Sequence, residues 1–337
     1  MTVQAPRYQV ADRAPVRLVD LALRWESILL LLLASVIAIN AMLSPYFLDL
    51  DNLSDATFNF SEKAIVALAM ALLVLVRDID LSVAAIIALA SLVMGMAAQA
   101  GAPTPVLIAV GLAVGAACGA FNGFLVTRIG LSSIVVTIGT MSLYRGLAQV
   151  ALGDQAITGY PAALQALGQG RLTEMPPLAN SFALFLVLAL IASVVLHATA
   201  IGRKFYAIGN NPIAARFSGI RVERIRFLLF VLSGLASGLA GALLTGRIGS
   251  TRPNIALGWE LEIVTMVVLG GVSIAGGSGS IPGVVIAVFV LGLATFGLSL
   301  INVPGIVINV ALGAMLIATI AAPILIARLL RRPAGSG

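Results

Sequence analysis

Long apolar runs, broken at short intervals by glycine, proline or charge, fill most of the chain. They lie at about 26–43, 61–77, 81–98, 104–127, 132–152, 180–198, 226–245, 260–276, 281–300 and 305–327. A helix rising about 1.5 Å per residue needs about 20 residues to cross ~30 Å of hydrocarbon, and most of these runs have that length. The pattern predicts an all-α polytopic membrane protein with about ten transmembrane helices. Only Arg77-Asp78-Ile79-Asp80 separates the second run from the third, and 260–276 is short and ends in glycines, so nine or eleven spans also fit.

Composition agrees with lipid as the main solvent. Of 337 residues, 60% are apolar, 34 are glycine and only 10% are charged, against about 25% charged in an ordinary globular domain. Disorder, a coiled coil and a disulfide scaffold need high charge, heptads or many cysteines, and all three are excluded. The lone cysteine, Cys118, falls inside the fourth run, so no intrachain disulfide can form. The first run has no small-residue cleavage site and is expected to stay as an uncleaved span.

The few charges are sorted by side. With the N-terminus in the cytoplasm, 15 of the 20 basic residues fall inside. They are Arg7, Arg13, Arg17 and Arg24 in the first tail, Arg77 and Arg128 in loops, six between Arg203 and Arg226, and Arg328, Arg331 and Arg332 at the end. Asp49, Asp51 and Asp55 make the first outer loop acidic. Both termini are therefore expected in the cytoplasm. The chain divides into an N-terminal tail (1–25), one transmembrane domain (26–327) with a cytoplasmic loop at 199–226, and a C-terminal tail (328–337). The net charge of +6 is topogenic; no basic stripe interleaved with aromatics points to nucleic acid.

Catalytic chemistry is sparse. One histidine, His197, and one cysteine far from it in sequence make neither a metal site nor a Cys–His pair. Neither lysine, Lys63 or Lys204, stands in a phosphate-binding G-x-x-x-x-G-K-[ST] loop. The glycine-rich stretch Gly270–Ser280 lacks a following lysine and is expected to be a tight turn. The acidic residues Glu62, Asp78, Asp80, Asp154, Glu260 and Glu262 fall at span edges or in loops, and Arg145 is the main charge within a span. No catalytic residue, metal site or bound cofactor is expected, and the energy source is expected on another subunit.

Small and polar residues carry the remaining information. Gly111, Gly115, Gly119 and Gly123 repeat at i, i+4, and Gly234, Ser237, Gly238 and Gly241 form a similar face. Such faces let helix backbones approach where lipid provides no hydrophobic drive. Asn122, Thr137, Thr140, Ser142, Arg145, Ser233 and Asn309 are candidates for a polar pathway; equally, their groups can bond across helices or to their own backbone. In the loop after the sixth run, Asn211 suits an N-cap, Pro212 a first helical position and Gly219 a left-handed terminus. A helix that short persists when something packs on it, whether a partner or a headgroup layer.

Ile79-Asp80-Leu81-Ser82-Val83, Asn122-Gly123, Thr137-Ile138-Gly139-Thr140-Met141-Ser142 with Arg145-Gly146, the loop Gly202–Ile220, and Val268-Leu269-Gly270-Gly271 with Gly276–Ser280 occur in fixed order. In this the chain resembles the permease subunits of bacterial ATP-binding-cassette sugar importers, the ribose, xylose, rhamnose and autoinducer-2 group. Val83–Ser91 and Ser44-Pro45-Tyr46-Phe47-Leu48 resemble the rhamnose type most. Arg77-Asp78 departs from the family, which often has glycine there.

The resemblance implies a multi-pass protein of the bacterial inner membrane importing rhamnose or a related monosaccharide, or alternatively autoinducer-2 or another pentose or hexose. It implies a second permease subunit, a cytoplasmic ATP-binding subunit carrying ATP and magnesium, a periplasmic sugar-binding protein, and surrounding membrane lipid. Residues 211–219 would be the coupling helix to the ATPase, with Asn211, Pro212, Ala215, Arg216 and Gly219 as its characteristic positions. A self-sufficient carrier or channel is the reading of a different class. Finally, Gly123, Ile134, Val136, Gly139 and Met141 recur 174 residues later as Gly297, Ile308, Val310, Gly313 and Met315, as a possible inverted repeat would require.

Overall fold

A computed structural model describes residues 25–330. The basic residues assigned to the tails at 7, 13, 17, 24, 331 and 332 lie outside the described residues, as does most of each expected tail. Each apolar run corresponds to one helix. These are α1 (Trp25–Leu43), α2 (Leu50–Leu75), α3 (Val83–Gln99), α4 (Thr104–Phe124, closed by a π-turn at Leu125–Ile129) and α5 (Ser133–Leu152). There follow α6 (Ala162–Gln169), α7 (Asn180–Ala198), α8 (Ala200–Asn210), α9 (Pro212–Phe217), α10 (Val222–Ile248), α11 (Trp259–Leu269), α12 (Ile281–Leu300) and α13 (Gly305–Leu330). Short antiparallel ribbons pair β1 (Ile157–Thr158) with β4 (Ser250–Thr251), and β2 (Arg171–Glu174) with β3 (Pro177–Ala179).

Two boundaries differ from the apolar pattern. Among the described residues seven helices are long and apolar enough to span a membrane by themselves. Helix α3 is shorter, and α11, expected over 260–276, ends at Leu269 because Gly270 and Gly271 turn the chain. Helix α2 begins at Leu50 instead of residue 61. Asp49 caps it by accepting from the Asp51 amide at 2.9 Å, and its polar first turns are matched by tertiary partners. Arg171 reaches Asp51 and Asp55 at 2.9 and 3.0 Å.

Helix α2 is almost wholly buried, and α10 and α12 are largely so. Around them α1, α4, α5 and α7 expose leucine, isoleucine, valine and phenylalanine, which is the surface a bilayer solvates. The 174-residue offset carries α2, α3, α4 and α5 onto α10, α11, α12 and α13 within a few residues at each end. The packing repeats too. Helix α3 packs on α4, α5 and α10, and α4 on α10; correspondingly α11 packs on α12, α13 and α2, and α12 on α2. Asp78, just past the end of α2, pairs with Arg226 at the start of α10, while Glu62 pairs with Arg247 near its end, so α2 and α10 are antiparallel. The chain is a multi-pass membrane protein whose two four-helix units run in opposite senses.

Candidate functional site

Three loops converge at the basic end of the bundle. Beyond α2, Arg77 adopts φ 73°, a conformation costing a side-chain-bearing residue about 1–3 kcal/mol. Glycine tolerates this backbone without that cost. Arg77 uses its side chain to compensate. Its Nε donates to the Gly209 carbonyl at 2.6 Å and a terminal nitrogen to the Asn210 carbonyl at 2.8 Å, binding acceptors left open at the end of α8. Asp78 accepts a two-pronged pair from Arg226 at 2.6 and 2.7 Å and is itself buried. From the glycine-rich turn, the Gly277 amide donates to the Leu75 carbonyl at 2.9 Å. Tyr206 donates to the Gly279 carbonyl at 2.7 Å, and burial raises its phenol further above its ordinary value, so it remains a donor.

The segment after α7 is therefore a two-helix arm, longer than the single short helix its capping residues suggested. Thr199 caps α8 through the Ile201 amide at 3.1 Å. Asn211 caps α9 through the Ile213 and Ala214 amides, both at 3.0 Å. Ala215 is buried against the bundle and Gly219, at φ 82°, turns the chain toward α10. Arg216 forms an ion pair with Glu223 inside the chain. The outward tips of α9 are apolar: Ile213 is 64% exposed and Phe217 89%. Capping was visible in the sequence; the Arg216 partner and the Phe217 tip were not.

A buried polar cluster lies just inside this end. Asp80 accepts from the Ser82 amide at 3.0 Å, the Ser82 hydroxyl at 2.6 Å and the Ser233 hydroxyl at 3.0 Å. Asn122 donates to the Ser82 hydroxyl at 2.8 Å, and the Tyr144 hydroxyl is shared between Asn122 Oδ1 and the Cys118 carbonyl. Helices α3, α4, α5 and α10 are thus stitched around one carboxylate. Thr137 and Thr140 are buried beside it and bond chiefly to their own helix.

The opposite end has its own ties. Ser91, Thr245, Thr251 and Tyr160 form a buried chain of hydroxyls at 2.5–2.6 Å. Arg145 donates to the Pro253 and Ile255 carbonyls, both at 2.8 Å, and so fastens α5 to the segment before α11. Lys63 pairs with Glu262 and lies 4.8 Å over the Trp259 ring. Arg247 pairs with the fully buried Glu62. The structure thereby corrects the placement of Glu62 at a span edge: it lies within α2, because that helix starts earlier than its apolar run.

The glycines divide sharply. Helices α4 and α10 approach so closely that a Cβ on Gly115 would strike the Gly234 carbonyl, one on Gly119 the Phe230 carbonyl, and one on Gly238 the Gly111 carbonyl. Gly123 packs on Phe227 and Phe230. By contrast, a Cβ on Gly139, Gly146 or Gly313 would meet nothing within 4 Å. Gly139, Ser142 and Gly146 share one face of α5, and Asn309 and Gly313 share one face of α13. Of the seven polar pathway candidates, Asn122, Thr137, Thr140 and Ser233 are enclosed within the subunit, Arg145 is a fastener, and Ser142 and Asn309 are exposed on these open faces.

A sequence-family model described as "Branched-chain amino acid transport system / permease component" matches residues 52–320, which is most of the chain and both four-helix units. The chain belongs to this permease family. It is 35% identical over 300 residues to the autoinducer 2 import system permease protein LsrD of Yersinia enterocolitica, covering 87% of this chain and 89% of that one. It is 33% identical over 307 residues to the protein of that name from Klebsiella pneumoniae, covering 89% and 91%. With the Escherichia coli K12 protein it shares 35% over 303 residues, covering 88% and 91%. No solved structure matches the chain. The permease is a transport component by family, and these relatives favour the autoinducer-2 alternative over rhamnose.

Proposed function

We propose that this permease is one of two membrane subunits of an ATP-driven importer that carries autoinducer-2 or a closely similar small, hydroxyl-rich solute into the cell. The observation that carries the reading is its likeness, across about nine-tenths of both chains, to permeases named for autoinducer-2 import. ATP and magnesium act on a cytoplasmic partner, and a periplasmic binding protein delivers the solute. The arm of α8 and α9 is the docking element for the ATPase, with Phe217 and Ile213 as its inserted tips. Arg77 and Asp78 transmit arm movement to α2, α3 and α10 through the bonds described above. Ser142 and Asn309, on the open faces of α5 and α13, meet the solute between subunits.

Uptake of labelled autoinducer-2, rhamnose and ribose by a strain lacking this gene tests the solute. Loss of autoinducer-2 uptake alone supports the reading; loss of rhamnose uptake alone overturns it. Phe217→Ala is expected to change stability by no more than about 0.5 kcal/mol, as exposed substitutions do, while abolishing co-purification of the ATPase. Solute movement into liposomes by the permease alone, without ATP, would overturn the two-component mechanism.

A further inference from the structure

A cavity of about 1000 Å³ opens at the basic end of the bundle, between the π-turn that closes α4 and the first two turns of α10. Arg128, Arg221 and Arg224 line it, and none of their three guanidinium groups makes a hydrogen bond or ion pair among the described residues. Glu223 lies on the same rim, but its carboxylate is engaged by Arg216 and leaves the guanidiniums uncompensated. The N-terminal end of α10 also faces this space without a side-chain cap, and its dipole adds to the positive potential. Beside the charges stands an apolar wall, with Phe124 50% and Leu228 53% exposed.

The apolar wall continues along α10. Arg221, Arg224, Leu228, Leu232, Leu235 and Leu239 follow one another at three- and four-residue spacing and share one helix face. From Leu232 onward this stripe forms one side of a second cavity of about 370 Å³, completed by α2, α4 and α7 and lined only by apolar residues. The rise from Leu228 to Leu239 is about 16 Å at ~1.5 Å per residue. That is close to half of the ~30 Å hydrocarbon layer.

A cluster of unpaired guanidiniums at headgroup depth, leading into an apolar trough half a bilayer long, has the shape and charge of one kind of ligand. We infer that this face of α10 holds an anionic phospholipid of the cytoplasmic leaflet, with its phosphate among Arg128, Arg221 and Arg224 and one acyl chain along Leu228, Leu232 and Leu239. Basic pockets between helices on the cytoplasmic side suit such headgroups, at a gain of about 1 kcal/mol per basic residue, or about fivefold each. A zwitterionic headgroup brings its own cation and gains less.

The test titrates delipidated full-length protein in neutral detergent with dioleoylphosphatidylglycerol, dioleoylphosphatidylcholine or inorganic phosphate. Native mass spectrometry counts bound lipid while the thermal midpoint is followed. The wild type is expected to bind the anionic lipid about tenfold or more tightly than phosphatidylcholine, following the per-residue gain above. R221Q/R224Q loses that preference, R221K/R224K keeps it, and the outer-side variant R252Q leaves it unchanged. Leu235→Trp, which fills the trough, weakens both lipids. If the double variant folds poorly, R224Q alone is expected to lower the preference about fivefold. Equal affinity for the two lipids, or a preference that survives R128Q/R221Q/R224Q, overturns the inference. So does inorganic phosphate competing as well as the lipid, which would make this a free-anion site. Stoichiometric displacement of the lipid by the ATP-binding subunit would assign the cavity to docking and overturn it equally.

Discussion

The glycines of α4 and those of α5 are the same residue in adjacent helices, and they serve opposite ends. In the α4–α10 seam the places that side chains on Gly115, Gly119, Gly234 and Gly238 would take are filled by backbone carbonyls of the other helix. On α5 and α13 the space beside Gly139, Gly146 and Gly313 is empty. Lipid does not need glycine, since any apolar side chain is solvated there and glycine only weakens the helix, by about 1 kcal/mol relative to alanine. Glycines that nothing within the chain requires indicate that something outside it approaches. The closed seam makes the subunit; in the proposed function the open face is where the second subunit approaches.

The comparison breaks most readily at the seam. Gly115→Val places branched carbons into the Gly234 carbonyl, and backbone cannot give way as a side chain does. A loss beyond the usual ~1–3 kcal/mol of overpacking is expected, seen as absence of a monodisperse peak after extraction. Gly139→Val should give a normal peak with reduced transport. Equal behaviour of the two variants would erase the distinction.

Asp78→Ala comes next. It strands Arg226 without its buried partner, and removing one member of a buried pair costs about 3–5 kcal/mol; chemical denaturation in micelles measures the change. Arg77 sharpens the contrast between strain and fastening. Arg77→Ala keeps the left-handed backbone and loses two charge-assisted bonds, each worth about 1.5–3 kcal/mol. Arg77→Gly loses the same bonds but relieves the backbone, so it should be the more stable of the two, with both impaired in coupling ATP hydrolysis to uptake. The smallest effect is expected from Arg171→Ala. Its partners Asp51 and Asp55 are well exposed, and such pairs contribute no more than about 1 kcal/mol.

What the sequence revealed follows from what is local. Apolar runs place the helices because each must satisfy its own backbone in lipid. The i, i+4 glycines of α4 and the small face of α10 each mark a close-packing surface without showing that the two meet, and the 174-residue echo, five matching positions in sequence, extends to four helices in space. What stayed hidden depends on distant partners. The first turns of α2 look like loop because Asp51, Asp55 and Asn59 interrupt the apolar run, and Arg171 and Arg247 satisfy them from more than a hundred residues away. Arg77-Asp78 looked anomalous for the same reason, as its partners are Gly209, Asn210 and Arg226. Hydroxyl groups gave no sign of which were enclosed, since Thr140 and Ser142 are two residues apart and face opposite surroundings.

The central claim is that the open faces of α5 and α13 meet a watery path at a subunit boundary instead of lipid. Thiol labelling tests it directly, in a Cys118→Ala background that removes the lone native cysteine. Ser142→Cys and Asn309→Cys are compared in the assembled transporter with Leu190→Cys, a position 67% exposed on α7 and expected to face acyl chains. A small water-soluble maleimide should modify the first two at least tenfold faster than the third. Labelling of Ser142→Cys and Asn309→Cys no faster than Leu190→Cys would put both faces in lipid and contradict the account.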